Sequence, residues 1–238
     1  MKSARMAFIP LVLGMAVGSG ARAQEAPPNE EETRPHEDAP PMERLRIEDE
    51  TLPFNRPGVD VGLRLGFAYP FGKAVGSAAM SDAFQGAFPI VAELGYRING
   101  SITFGALFQY AFTLPKCDPG ASCSASVVRL GLEGLYRIPV EGAFVPWLGM
   151  GAGYEWLSMA ESGNSGSLRG FELLTLQAGA DYRINPYLTL GPFVSFSLAV
   201  YNSGSDNEAS GDVADTSLHE WLQIGLKVTC NFVVITQP

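Results

Sequence analysis

The sequence predicts an all-β fold, an eight-stranded antiparallel up-and-down transmembrane β-barrel, and three observations carry that prediction. From Val59 onward apolar residues recur at every second position through eight segments. Several of these segments exceed ten residues, and the connections between them alternate short with long. A period of two marks a strand with unlike faces, because successive side chains point to opposite sides. Runs of this length suit tilted strands that cross a membrane, which need about 9–11 residues, better than strands of a soluble sandwich. Short turns at one rim and long connections at the other describe an up-and-down barrel.

The chain opens with basic Lys2 and Arg5, an apolar run from Met6 to Gly18, and Ala21-Arg22-Ala23, the small-x-small form of an export signal cut after Ala23. The run is short and contains glycine, against about 20 residues for a spanning helix, so residues 1–23 read as a signal peptide rather than an anchor. Residues 24–58 hold ten acids, four arginines and many prolines. With so little to bury, they are expected to form an extended periplasmic linker. A spacer is the simple reading, and docking around Leu45, Ile47 and Leu52 is the other; any cell-wall contact is expected of this segment. The barrel is expected over 59–232, followed by a C-terminal tail, 233–238.

The strands follow in order. The first alternates Val59, Val61, Leu63, Leu65, Phe67 and Tyr69 with Asp60, Gly62, Arg64, Gly66 and Ala68. The third alternates Ile102, Phe104, Ala106, Phe108, Tyr110, Phe112 and Leu114 with smaller or polar residues. The other apolar faces take every second residue of 88–98, 128–138, 144–156, 174–184, 188–200 and 222–232. Asn99-Gly100, Pro139 to Ala143 and Asn185-Pro186 are tight turns, the first with type I′ chemistry. Residues 70–86, 115–126, 158–169 and 202–217 are polar and rich in glycine or serine, and are expected to be long extracellular loops.

A hairpin repeat fixes the register. Tyr96-Arg97-Ile98-Asn99, Tyr136-Arg137-Ile138-Pro139 and Tyr182-Arg183-Ile184-Asn185 each end an even-numbered strand at its tight turn. Tyr96, Tyr136 and Tyr182, with Phe232, are expected to form an aromatic girdle at the periplasmic interface. The arginine of each repeat points to the other face.

That other face decides between two barrels. In a soluble, lipocalin-like barrel the apolar face lines a cavity and the polar face meets water. Here the polar face carries Arg64, Arg97, Arg129, Arg137, Arg183 and Lys227 with Asp60, Glu93, Glu133, Glu155 and Asp181, and it is otherwise rich in glycine. The apolar faces carry no charge between the rims. Few, nearly balanced charges among glycines suit a narrow interior in which each ion has a partner. These charged residues are therefore expected to form a structural network in the lumen.

Charged residues make up 17% of the chain, below the roughly 25% of soluble domains, and the formal net charge is −9. An acidic chain without a basic stripe is not expected to bind nucleic acid. Cys117 and Cys123 bracket Asp118-Pro119-Gly120, and in an oxidising compartment a loop-closing disulfide is favoured over a metal site, which lacks histidine or a second cysteine pair nearby. Cys230 is left unpaired.

On the signal peptide, the eight alternating strands, the loop asymmetry and a last strand Trp221 to Phe232 ending on an aromatic, residues 59–232 resemble the small eight-stranded outer-membrane barrels, the OmpA-, OmpX- and OmpW-like proteins. The resemblance implies the bacterial outer membrane, surroundings of outer-membrane lipid and lipopolysaccharide, and insertion by the barrel-assembly machinery. The chain departs from the family pattern in placing six residues after the terminal aromatic. A monomer is expected.

No catalytic set emerges. His36 lies in the linker, and His219, near Ser217 and beside Glu220, is set by alternation on the face opposite Glu220, so a hydrolytic triad is not expected. Gly149-x-Gly151-x-Gly153 lacks the strand-to-helix context of a phosphate loop. Asp206, Glu208, Asp212 and Asp215 miss the spacing of a calcium loop. No cofactor or metal is expected. The leading expectation is a non-enzymatic barrel that supports envelope integrity or presents its loops for surface interaction. The alternative is narrow or gated passage of small hydrophobic molecules past Leu107, Trp147 and Phe193. A lipid-modifying enzyme is the remoter reading.

Overall fold

The computed structural model describes residues 55–76, 78–117, 122–162, 164–206, 210–212 and 216–233. The signal peptide, nearly all of the linker and residues 234–238 lie outside the described residues. Eight long strands form a closed antiparallel barrel: β1 (Gly58–Val75), β3 (Phe84–Arg97), β4 (Ile102–Pro115), β5 (Cys123–Arg137), β6 (Phe144–Glu161), β7 (Asn164–Asn185), β8 (Leu188–Asp206) and β10 (Leu218–Val233). Two short strands, β2 (Ala78–Ala79) and β9 (Ser210–Asp212), pair with β1 and β8. Each long strand pairs with the next, and β10 closes the circle on β1 from Gly58 opposite Val233 to Gly72 opposite His219. Closure leaves no unpaired edge among these eight strands.

Alternation places every side chain. Leu63, Leu94, Phe104, Leu132, Met150 and Ile224 are each more than two-fifths exposed on the outer wall, while Arg64, Arg97, Glu133, Glu155 and Lys227 are buried inside. Glycines make the tight curvature fit. Inward Gly66 faces Gly225, Gly95 faces Gly105 and Gly131 faces Gly153 across neighbouring strands. At Gly179 a β-carbon would come within 2.6 Å of the Trp147 ring, so the indole occupies the space that the glycine leaves.

The outer wall carries two aromatic belts. At the end with the tight turns stand Tyr96, Tyr136, Tyr182 and Phe232, each about half exposed, joined by Phe104 and Phe144. Toward the other end lie Tyr69 against Phe71, Tyr110 against Phe112, and Tyr154 between Trp156 and Phe171. Some ten residues of tilted strand separate the belts, which corresponds to about 25 Å measured across the wall. Between the belts no described side chain on the outer face is charged.

The four connections expected to be long loops differ from that expectation. β6 and β7 stay paired up to Glu161 opposite Asn164, so most of 158–169 is a continuation of the hairpin. β1 runs on to Val75, β5 begins at Cys123, and β8 reaches Asp206 before pairing with β9. Beyond the wall both faces meet solvent, so the strand ladder continues without the apolar alternation that reveals it in sequence. Ser126, Ser158, Ser167 and Ser205 are successive partners across β5 to β8 and have the serine-rich composition of a loop.

Candidate functional site

Among the described residues, buried polar side chains converge in the lumen, and three layers of them fill it. The layer nearest the tight turns is built on Asp60. Its carboxylate pairs with Arg97 and, at 3.0 Å, with Arg137. Arg97 also donates to Asn231 Oδ1 at 2.8 Å and to the Arg56 carbonyl at 2.8 Å, and Arg137 donates to Thr103 Oγ1 at 2.8 Å. Both arginines come from the tyrosine-arginine-isoleucine repeat, so the repeated hairpin places two cations on one central anion.

The middle layer centres on Arg64. It pairs with Glu93 and, at 3.0 Å, with Glu133, and it donates to Gln177. Lys227 reaches Glu93 at 2.9 Å, and Gln177 donates to Glu133 at 2.8 Å. Aromatic rings close the layer. The Arg64 guanidinium lies 5.7 Å from the Trp147 ring centre and 5.4 Å from that of Phe193, the Lys227 ammonium lies 4.7 Å from Trp147, and the indole N–H donates to Asp181 at 2.9 Å. Such stacking adds to the ion pairs because the ring face is negative.

The third layer gathers around Glu155, which is fully buried. Arg129 reaches it at 2.8 Å and also pairs with Glu172; Tyr201 donates its hydroxyl to Glu155, and His219 Nε2 lies 3.2 Å away. The Tyr201 and His219 rings stack at 4.1 Å. Above this layer Met80, Phe84, Leu157, Tyr201 and Trp221 form an apolar plug. Met80 comes from a one-turn helix, Met80–Ala83, in the connection between β1 and β3. Between the middle layer and the plug, the space bounded by Gln109, Arg129, Ser197 and Gln223 amounts to about 10 Å³. It admits no more than a water-sized solute.

The residues singled out in sequence fall as follows. Arg64, Glu93, Arg97, Arg129, Glu133, Arg137, Glu155, Asp181 and Lys227 lie buried in the lumen, in the contacts given above. Arg183 stands apart: it is half-exposed at the turn rim, where Nη1 donates to the Gly142 carbonyl at 3.2 Å. It lies two residues before the end of β7, where the pairing with β8 is irregular between Arg183 and Asn185. Cys117 and Cys123 form a disulfide, with Cα atoms 6.2 Å apart, and Cys230 is free. Trp147 and Phe193 pack with Leu135 in a buried cluster, and Leu107 is partly buried. The acidic set of the last long connection does not form a describable group, since Glu208 and Asp215 lie outside the described residues.

Glu172, Tyr201 and Gln177 are lumen partners that sequence reasoning missed. Glu172 hides behind a bulge. Leu173 and Leu174 together face Ala152, which shifts the alternation by one, and so Glu172 is inward although Leu174 and Leu176 above it in number lie on the outer phase. The signal that could have found it is the local pattern Phe171-Glu172-Leu173, alternating in a phase opposite to that of 174–184. His219 is fully buried with Nδ1 free of any protein partner, and Glu220 faces the other way.

No family model matches the chain, and no curated relative matches it. Solved structures do. The crystal structure of the Neisserial surface protein A aligns with a TM-score of 0.55 at 15% identity, over 74% of this chain and 97% of that one. The outer membrane protein OprG from Pseudomonas aeruginosa aligns at 13% identity over 76% of this chain and 99% of its own, with a TM-score of 0.45. The attachment invasion locus protein Ail of Yersinia pestis aligns at 14% identity over 72% of this chain and 98% of its own, with a TM-score of 0.40. A closed ring of eight antiparallel strands, an uncharged outer wall and the alignment with the Neisserial protein agree: the chain has the fold of the small eight-stranded outer-membrane β-barrels.

Proposed function

We propose that this protein is a non-enzymatic barrel of the bacterial outer membrane that acts through its outer surfaces, supporting envelope integrity or surface interaction with its extracellular hairpins. The observation that carries this reading is the filled lumen. Three ion-pair layers and an apolar plug occupy the lumen, and the space bounded by Gln109, Arg129, Ser197 and Gln223 amounts to about 10 Å³, too little for a solute larger than water. Fully buried His219 has no substrate access, which argues against lipid-modifying catalysis. The hairpins, by contrast, extend well past the upper aromatic belt and present a row of serines with exposed Arg169 beneath it. This reading includes lipopolysaccharide as the immediate neighbour of the hairpins, insertion by the barrel-assembly machinery, a monomeric state, and the tight turns on the periplasmic side.

Two measurements test it together. In planar bilayers the refolded protein should show no stable ion currents; persistent single-channel steps would overturn the closed lumen and favour gated passage. In cells, shortening the β6–β7 hairpin by removing 158–169 should reproduce the detergent sensitivity or lost surface adhesion of the full deletion, while the truncated barrel still folds. Wild-type behaviour of that variant would move the function away from this hairpin.

A further inference from the structure

The outer wall is not uniform. On its turn-end half it is indented by an open groove of about 720 Å³. Two successive cross-strand rows form it. Ile102, Tyr136, Leu148, Ala178 and Val194 are consecutive partners from β4 to β8, and Phe104, Gly134, Met150, Leu176 and Phe196 make up the next row. Among these large side chains Gly134 and Ala178 are the low points, so the groove runs across the strands rather than along them. Four inter-strand steps of about 4.8 Å make it roughly 19 Å long.

Its inclination follows from the strand ends. Ile102 is the first residue of β4, at the turn rim, whereas Ala178 lies seven residues from the end of β7. The groove therefore begins at the turn-end aromatic belt and climbs toward the middle of the wall. Its floor is stiff, because Leu135, Trp147 and Phe193 pack directly behind it under the Arg64 guanidinium. No charged side chain lines it; Gln177 and Ser195 border it with their side chains turned into the lumen.

We propose that this groove binds one extended acyl chain of a membrane lipid, which enters beside Ile102 and Tyr136 and lies across β5 to β8 toward Val194 and Phe196. The inference rests on the placement of the wall in a membrane. Hydrocarbon is then the only material that reaches the groove. One leaflet accounts for about half of a hydrocarbon core of about 30 Å, so an inclined trough of roughly 19 Å accommodates one chain along its length. A second barrel is the poorer occupant: stable interfaces bury about 800 Å² per partner over a complementary surface, and this feature is a trough two residues wide. With no charge to grip a headgroup, the site selects the chain and not the headgroup.

The test is native mass spectrometry of the full-length protein expressed in its own membrane and extracted in mild detergent. Wild type should retain one phospholipid per barrel. Ala178→Phe, which fills the floor, should lower the retained fraction at least tenfold, and Ala178→Leu should lower it less. Ala92→Phe, on the wall between Leu63 and Phe108, should leave retention unchanged. A heat-dependent gel shift reports that each variant is folded. After refolding into dioleoyl phosphatidylglycerol or dioleoyl phosphatidylethanolamine-rich vesicles, retention should be equal. No lipid on wild type, equal loss in Ala92→Phe, undiminished retention in Ala178→Phe, or retention that follows the headgroup would each overturn the proposal. So would a wild-type dimer that Ala178→Phe dissociates, which would assign the groove to a second copy.

Discussion

Arg129 shows at the scale of single residues how the lumen is held. Its guanidinium joins Glu155 and Glu172, and Glu155 in turn serves Tyr201 and His219. Removing the cation leaves two buried carboxylates facing each other without a counter-ion, and breaking a buried pair from one side typically costs about 3–5 kcal/mol. Arg129→Leu should lower the urea stability of the barrel in detergent by that amount, while Glu172→Gln should cost less because Arg129 keeps Glu155. Equal midpoints for wild type and both variants would mean that the network contributes nothing to the folded state. Arg129, Glu133 and Glu155 were legible in the sequence as inward residues because each sits between outward apolar neighbours in an unbroken run. Which residue pairs with which was not legible, since that depends on strand register and on which side chains reach across the lumen. Arg64, for instance, contacts Gln177 on β7, four strands beyond its own neighbour β3.

At the scale of elements, β7 carries the clearest departure from regular alternation. Two of its residues, Leu173 and Leu174, face Ala152 of β6, and the same extra residue separates Glu172 opposite Ala199 from Leu174 opposite Leu198 on β8. Deleting Leu173 would restore one-to-one pairing on both sides while leaving Glu172 inward and Phe171 outward. That deletion is expected to fold, with the heat-dependent gel shift intact. Inserting one alanine after Leu130 should do the opposite, because a one-residue slip turns Arg129 and every inward residue on one side of the insertion to the wrong face. Loss of the gel shift in the deletion, or its survival in the insertion, would contradict this account of register. The eight strands themselves were legible, since a wall with one apolar and one polar face imposes the period of two. The hairpin extensions were not, because beyond the wall serines and glycines pair as well as valines do and leave no alternation to read.

For the whole molecule, the two aromatic belts set a dimension. The turn-end belt of Tyr96, Tyr136, Tyr182 and Phe232 and the upper belt of Tyr69, Tyr110, Tyr154 and Trp156 bound an uncharged wall about 25 Å tall. Inside the barrel, among the described residues, five buried basic groups meet six buried carboxylates with His219 beside them. A barrel turned inside out for water would have to solvate the uncharged wall and would keep its ions desolvated, so only a hydrocarbon surround satisfies both faces. Mismatch between wall and bilayer costs fractions of a kcal/mol per Å, enough to shape insertion yield. Refolding into phosphatidylcholine vesicles of increasing chain length should therefore give the highest folded fraction, read by heat-dependent mobility, where the hydrocarbon thickness is near 25 Å, with a decline in thicker bilayers. A barrel that folds and stays dispersed in plain buffer, with no dependence on lipid thickness, would reverse the assignment of the two faces and favour the water-soluble, cavity-lined alternative. A thickness optimum that shifts when Tyr69 and Trp156 are replaced by serine would tie the dimension to the belts themselves.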